Sequence, residues 1–433
     1  MQKSKYVEIL RDWNFWGTNK VDTGLKRKYY LKKLRQLSRL NEVVGICGVR
    51  RCGKTTLLLQ LIQDLHEINK LPLKNTLYVN FEDPRLGDSL TALDLFDIIE
   101  EYQAQLDPKG KVYLFLDEIQ VVKDWEKFVR TIYDQQKQVK IFVSGSSSSI
   151  FDSKLSSLLS GRIVNLQVFP LNFVEFLQFK YQDDNTNKSQ TDDFFEKSLT
   201  EYLTYGGFPR VVLEQDKIAK RQILVSYYES ILEQDVILKN NIKQAAVLKQ
   251  LAKYVLSNIS NQISTYSLQK TLGISNQHIG RYLDYLEDAY LIFRIPKFSY
   301  SVKKQIYNPD KVFCVDSGLV NTAGFSFSEN KGHLLENLVY LKLKQQNKDL
   351  YYWKNGTEID FLIRKGVQVD RLVDVTTTVD DDQVWEREIK SLAIAQKEYP
   401  QAEMLLISLY NQSNRQGNGL TGLKEFLFEK FNS

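Results

Sequence analysis

Nine consecutive residues, GVRRCGKTT at 48–56, carry the densest chemistry in the chain. Gly48, Gly53, Lys54 and Thr55 fill the spacing GxxxxGK[ST] directly after the apolar run EVVGIC and directly before a helical pattern, TTLLLQLIQDLHEI. That is the spacing and context of a phosphate-binding loop. Its glycines let the backbone turn tightly so that successive N–H groups aim at phosphate oxygens, and the helix that follows adds the positive end of its dipole. Lys54 is expected to neutralise the β- and γ-phosphates of ATP and Thr55 to ligate Mg2+. Val49, Arg50, Arg51, Cys52 and Thr56 complete the candidate nucleotide contacts, with Arg50 and Arg51 facing either nucleotide or solvent.

A second element agrees with the first. KVYLFLDEIQ ends an apolar strand on Asp117 and Glu118, which suits a Walker B pair: one carboxylate in the magnesium shell, the next orienting and activating water. KIFVSGSSSS puts Ser144 at the tip of another strand, either as a sensor of the γ-phosphate or as part of a serine-rich turn. Arg162 in SGRIV is a candidate for stabilising transition-state charge, within its own subunit or across to a neighbour in an oligomer, and is equally readable as a surface arginine.

Two further regions could act on a partner. In STYSLQKTLGISNQHIGRYLDYLEDAYLIFRI the run LGIS reads as the turn of a helix-turn-helix, with Asn276, Gln277, His278 and Arg281 able to contact bases or phosphates. Asp284, Glu287 and Asp288 make the second half of that helix acidic, so a protein-docking role stays open beside DNA contact. Near the end of the chain, TEIDFLIRKGVQVDRLVDVTTT carries Asp360 and Asp374 on two strand-like runs, and Glu336 lies on a preceding helix. Three such carboxylates suit a second magnesium site of the nuclease kind. The lysine expected one spacer after the second carboxylate is Thr376, and Arg387 or Lys390 would have to replace its charge. The end domain is thus either a nuclease or a scaffold that binds without cutting, and for the whole chain the expectation is an ATP-hydrolysing molecular switch, with an ATP-regulated, Mg2+-dependent DNA nuclease and a non-hydrolysing nucleotide-bound adaptor or regulator as alternatives.

These residues need elements to hold them. VVGICG, TLYVNF, KVYLFLD, KIFVSG and RIVNLQVF are five short apolar runs separated by helical segments, the pattern of a parallel sheet covered on both faces. Strand signals stop after Pro170, where NFVEFLQFKY and RQILVSYYESILEQDVIL read as helices; LIFRI and QIYNPDKVFCVD read as strands of a small hairpin. HLLENLVYLKLKQ reads as a helix and DLYYWK, EIDFLIRK, RLVDVTT and EMLLISL as strands. The expected divisions are a helical segment at 1–40, a P-loop core at 41–170, a helical lid at 171–240, a winged helix at 241–330 and a nuclease-like domain at 331–433.

Together GVRRCGKTTLL, FLDEIQVVKDWE, VSGSSSSI and LLSGR resemble the prokaryotic AAA-type P-loop ATPases of the archaeal-ATPase-like group, and the likeness continues through YGGFPR, ENLVYLKL, EIDFLI and WEREIKSL. The resemblance implies an α/β fold: a parallel sheet of order 5-1-4-3-2, a helical lid, a winged helix and a restriction-endonuclease-like end domain. It implies ATP and Mg2+ as cofactors, and leaves DNA, a protein partner and oligomerisation as open expectations.

Composition bounds the rest. At 433 residues the chain exceeds what one hydrophobic core supports, and 43% hydrophobic with 26% charged residues is ordinary for a globular protein. A net charge of +5, from 58 basic and 53 acidic residues, selects no partner by itself, although Lys20 to Arg39 carry eight bases against Asp22 alone. Three scattered cysteines, Cys47, Cys52 and Cys314, argue against a disulfide framework. With no signal-peptide core and no apolar run of about 18 residues, the expectation is a cytoplasmic protein without a membrane span.

Overall fold

The computed structural model describes residues 5–17, 21–135, 138–148, 158–182, 191–323, 331–346, 348–411, 415 and 419–429. They divide into two compact units, Met1–Val168 and Phe169–Ser433.

The first unit is built from α1 (Lys5–Arg11), α2 (Lys28–Leu37), β1 (Val43–Cys47), α3 (Lys54–Glu67), β2 (Thr76–Asn80), α4 (Ala92–Leu106), β3 (Val112–Asp117), α5 (Trp125–Gln135), β4 (Val139–Gly145) and β5 (Ile163–Gln167). All five strands are parallel, in the order β2-β3-β4-β1-β5, which is the expected 5-1-4-3-2 read from the other edge. β1 is buried along its whole length, as a central strand covered on both faces must be, and so its sequence is continuously apolar rather than alternating. Phe115 and Phe142 stand opposite each other on β3 and β4 and stack with ring centroids 4.8 Å apart. Leu77, Val79, Leu114, Leu116 and Phe128 belong to the core beneath.

The segment before Leu40 packs into this unit. Ile9 and Leu10 of α1 join the same core. β2 is an edge strand, and Asn14 covers that edge by donating Nδ2 to Tyr78 O (2.8 Å) while its Oδ1 accepts from Tyr78 N (2.8 Å). A side-chain amide thus stands where another strand would otherwise pair. Three bases of the basic stretch make contacts within the unit. Lys26 and Arg35 both pair with the buried Asp64 of α3, and the buried Arg27 donates to Cys52 O at 3.1 Å. Lys20 lies outside the described residues.

The second unit opens with helices α6 (Phe173–Tyr181), α7 (Asp192–Tyr205), α8 (Pro209–Leu213) and α9 (Lys217–Ser230), the last continued by a π-helical stretch at Ile231–Leu238. Next come α10 (Ala245–Ser257), β6 (Gln262–Ile263), α11 (Thr265–Leu272), α12 (Asn276–Asp288), β7 (Ile292–Ile295), α13 (Val302–Tyr307), β8 (Asp310–Cys314) and α14 (Ser317–Ala323). β8 is the middle strand of an antiparallel sheet, β6-β8-β7. The run QIYNPDKVFCVD is only half strand: Gln305 to Tyr307 close α13, whose Ile306 and Tyr307 are exposed, and extended pairing begins at Asp310. β-branched and aromatic residues read as strand here, but no partner strand reaches them to bury a pleated face.

The chain ends with α15 (Lys331–Gln345), β9 (Asp349–Asn355), β10 (Thr357–Lys365), β11 (Gln368–Thr378), α16 (Asp382–Glu398), β12 (Glu403–Tyr410), β13 (Leu420–Gly422) and α17 (Leu423–Phe428). Its sheet, β13-β12-β11-β10-β9, is mixed: β9, β10 and β11 are antiparallel neighbours, whereas β11, β12 and β13 are parallel. Among the described residues, no helix is long and apolar enough to cross a membrane.

Candidate functional site

The parallel sheet delivers its chemistry at one edge, the carboxyl ends of β1, β3 and β4. After Cys47 the chain enters the loop, where Gly48 has φ +150° and a Cβ would lie 2.1 Å from Val168 O. Only glycine leaves room there. Arg51, exposed, turns through φ 69°, and Gly53 through φ 102° as it leads into α3. Val49 and Cys52 are buried beneath the loop, with Cys52 Sγ 3.4 Å from Val168 O. Arg50 reaches Glu82 (Nη1 to Oε1, 3.0 Å). Lys54 is buried at the first turn of α3, and Nζ donates to Gly48 O (3.1 Å) and Val49 O (3.3 Å), 3.7 Å from Glu118 Oε1. Thr56 follows, half-buried.

Asp117 ends β3 fully buried. Thr55 Oγ1 donates to its Oδ2 at 2.7 Å, Tyr78 OH donates to the same oxygen at 2.7 Å, and Ser144 Oγ donates to Oδ1. Parallel pairing explains the convergence. Tyr78 lies opposite Phe115 on β2, and Leu116 lies opposite Val143, so Ser144 is one residue beyond on β4. Ser144 also accepts from Glu118 N at 3.1 Å, and its hydroxyl therefore spans the acidic pair. Burial and the neighbouring Glu118 push the Asp117 carboxyl up, while the hydroxyls of Ser144, Thr55 and Tyr78 hold it down. Glu118 takes the left-handed conformation (φ 53°), and Gln120 Nε2 donates to its Oε2 at 2.6 Å. Burial raises the Glu118 carboxyl, but Lys54, Gln120 and Arg50 outweigh it and hold the group below its ordinary range.

The loop suits a nucleoside triphosphate with its magnesium ion: it keeps a cradle that a side chain at Gly48 would fill, with an ammonium, a hydroxyl and a carboxylate converging beside it. Lys54, Thr55, Asp117, Glu118 and Ser144 are brought together. Arg162 is not. Its carbonyl accepts from Val43 N at 2.7 Å, at the amino end of β1 and five residues before Gly48, about 16 Å away at the usual rise per residue. Its Nε pairs with Asp134 Oδ1 at 3.1 Å, at the end of the sheet opposite the loop. Tyr78 escaped sequence reasoning, since a tyrosine inside an apolar run looks like any core aromatic.

The residues of the expected second metal site lie together, but around a lysine. Among the described residues, no group of three or more His, Cys, Asp or Glu is placed to hold a metal ion. Glu336 and Asp360 instead close on Lys311 of β8, whose Nζ lies 2.7 Å from Glu336 Oε1, 2.8 Å from Asp360 Oδ1 and 3.1 Å from Glu358 Oε1. Burial pulls the Lys311 ammonium down, but Asp360, Glu336 and Glu358 together raise it well above its ordinary value. Asp374 sits behind Asp360 (Asp360 N to Asp374 Oδ1, 3.4 Å) and is buried, with its carboxyl held well above the carboxylate range by burial, Asp360 and Glu388. Thr376 donates to Thr378 O, Arg387 turns onto its neighbour Glu388, and Lys390 is exposed.

On α12, Asn276, Gln277, His278 and Arg281 are exposed while Ile279, Tyr282, Leu283 and Leu286 are buried. His278, Arg281 and Lys243 line a surface cavity of about 530 Å³. The acidic second half of the helix is neutralised from β7: Arg294 Nη2 lies 2.6 Å from Asp284 Oδ1 and 2.7 Å from Glu287 Oε2.

Comparison with known proteins agrees with the loop and the sheet. An AAA domain model matches residues 40–177, and a domain of unknown function (DUF8612) matches residues 196–330. The chain is 36% identical over 373 residues to the uncharacterized protein MJ1544 of Methanocaldococcus jannaschii, covering 82% of this chain and 80% of that protein. It is 30% identical over 351 residues to an uncharacterized protein of Haemophilus influenzae, covering 80% of this chain and 85% of that one. Among solved structures, the Walker-type ATPase paby2304 of Pyrococcus abyssi is similar at a TM-score of 0.44 and 16% identity, over 69% of this chain and 95% of that one. The chain belongs to one family with the uncharacterized Methanocaldococcus protein MJ1544 and the uncharacterized Haemophilus protein, and within it residues 40–177 match an AAA domain.

Proposed function

We propose that this protein is an ATP-hydrolysing molecular switch. The observation that carries the reading is the convergence of Lys54, Thr55, Asp117 and Glu118 at the carboxyl edge of one parallel sheet. In this reading Gly48 to Thr56 bind ATP. Lys54 exchanges the loop carbonyls for phosphate oxygens, and Thr55 and Asp117 hold the magnesium ion, which supplies charge neutralisation when bound. Glu118 orients the attacking water and takes its proton. Ser144 acts as a positioning residue, because its hydroxyl ties Asp117 to the backbone of Glu118. Lys54→Ala is expected to weaken ATP binding by at least ~100-fold, whereas Glu118→Gln keeps binding and lowers turnover by about 10² to 10³. Calorimetric ATP titration with phosphate-release assays checks both; hydrolysis by Glu118→Gln at the parent rate would sink the assignment.

What the switch moves is read from the second unit. The helix-turn-helix and three-stranded sheet support a winged helix, and the end domain reads as a restriction-endonuclease-like scaffold that binds without cutting. Nucleic acid is the partner favoured by one observation: Arg294 neutralises Asp284 and Glu287, leaving the cations Arg281 and Lys243, with the imidazole of His278 beside them, as exposed groups around the cavity. DNA affinity should then fall steeply with salt, and Arg281→Ala should reduce the slope of log K against log[salt] by about 1. Fluorescence anisotropy across a salt series measures it, and an unchanged slope points to protein docking instead.

A further inference from the structure

Lys311 is an unusual lysine. Only 2% of its side chain is exposed, and its ammonium lies within 3.1 Å of three carboxylates from two different elements: Glu336 on α15, and Glu358 and Asp360 on β10, of which Asp360 accepts a hydrogen bond. The backbone beneath it is held on both sides, because β8 pairs through Lys311 with Gln262 of β6 and with Ile295 of β7. The carboxylates are held as well. Gln262 Nε2 and Lys354 Nζ both bond Glu358 Oε2, at 2.8 and 3.1 Å, and Val375 N donates to Asp360 Oδ2 at 3.1 Å. Two oxygens of the cluster have no hydrogen-bond partner among the described residues: Oδ2 of the buried Asp374, and Oε1 of Glu336, which meets Lys311 Nζ as an ion pair only.

Three carboxylate oxygens around one point, with a fourth carboxyl behind, are the donors that hard divalent cations prefer, although as arranged around Lys311 they form no metal site. Here a covalently attached cation stands at that point. An ammonium needs N···O distances near 2.8 Å, and those around Nζ run from 2.7 to 3.1 Å, longer than the ~2.1 Å Mg–O bond or the 2.3–2.6 Å Ca–O bond. The Lys311 side chain is buried, so its ammonium has no path to water without unpacking the cluster.

We propose that Lys311 is the resident cation of this cluster: it occupies the position of a divalent metal ion, so that the native end domain takes up none there, and removing its charge opens a site for Mg2+ or Mn2+ built from Glu336, Glu358 and Asp360. The missing lysine at position 376 and the lysine among the carboxylates are then one fact. The positive charge has not been lost; it enters from β8 and fills the place of the metal.

The test is Mn2+ titration of the nucleotide-free full chain, followed by electron paramagnetic resonance of the free ion. Omitting nucleotide keeps the result independent of the ATPase reading. Expected is native binding that Asp360→Asn does not alter, and in Lys311→Met one new site at least ~100-fold tighter than any in the native chain, lost again in Lys311→Met/Asp360→Asn. Native Mn2+ binding abolished by Asp360→Asn would overturn the proposal, as would a folded Lys311→Met with no new site. If Lys311→Met does not fold by itself, it is refolded with and without Mn2+: recovery only with the metal supports the proposal, and no recovery overturns it.

Discussion

Asp117 shows how much of a nucleotide site is made of neighbours that sequence motifs do not name. It is buried among three hydroxyls, of which only Thr55 belongs to the phosphate-loop pattern; Ser144 comes from β4 and Tyr78 from the edge strand β2. The Tyr78 hydroxyl is itself pushed far above its ordinary range by burial and by Asp117, and stays a donor at any working pH. Tyr78→Phe removes one donor from a buried carboxylate. It should cost about 1–2 kcal/mol in urea unfolding while weakening ATP binding far less than Lys54→Ala does.

At the scale of elements, YGGFPR is explained by a junction within the second unit. Asp316, just after β8, sends Oδ2 to Gly207 N at 2.6 Å and Oδ1 to Gly318 N at 2.9 Å. A Cβ on Gly206 would lie 1.8 Å from Asp316 Oδ1, so the glycine admits the carboxyl that closes α7 against α14. Burial pushes that carboxyl up to about 7, against the opposing pull of the Gly207, Gly318 and Leu319 N–H groups. The native chain therefore keeps this proton to higher pH than the unfolded chain, whose ordinary value is 3.8. Its stability contribution is complete below the unfolded value and declines as pH rises toward 7, by up to about 1.4 kcal/mol per pH unit. Urea midpoints at pH 5 and pH 8 should differ in the parent, and this part of the difference should vanish in Asp316→Asn. An identical pH slope in both chains would rule Asp316 out as its source.

At the scale of the whole molecule, a switch must carry nucleotide occupancy from residues 1–168 into residues 169–433. ATP at about 100 times its Kd stabilises whatever binds it by about 2.7 kcal/mol, enough to slow hydrogen exchange through global opening by roughly 100-fold. Protection is expected in the loop and α3, and the switch reading requires altered exchange in α11 and α12 as well. Protection confined to the first unit would leave an ATP-binding module with no transmission.

The phosphate loop, the acidic pair after β3 and the five strands were legible because each is local: contiguous spacing, a continuous apolar run and a following helical period are visible without knowing what packs where. The terminal strands were legible for the same reason. What required the tertiary structure was every partnership between distant segments. Asn14 caps Tyr78 across 64 residues, Lys311 meets Asp360 across 49, and Arg162 is carried to the far edge of the sheet by the register of β5 on β1. Spacing along a strand says which face a side chain takes, but which cation fills a cluster of carboxylates is decided by the strand that packing brings against it. By itself the sequence determined that this chain carries a nucleotide-binding edge; the structure decided that the charge missing beside Thr376 arrives from β8, because burying those carboxylates demands a cation from whichever element lies within reach.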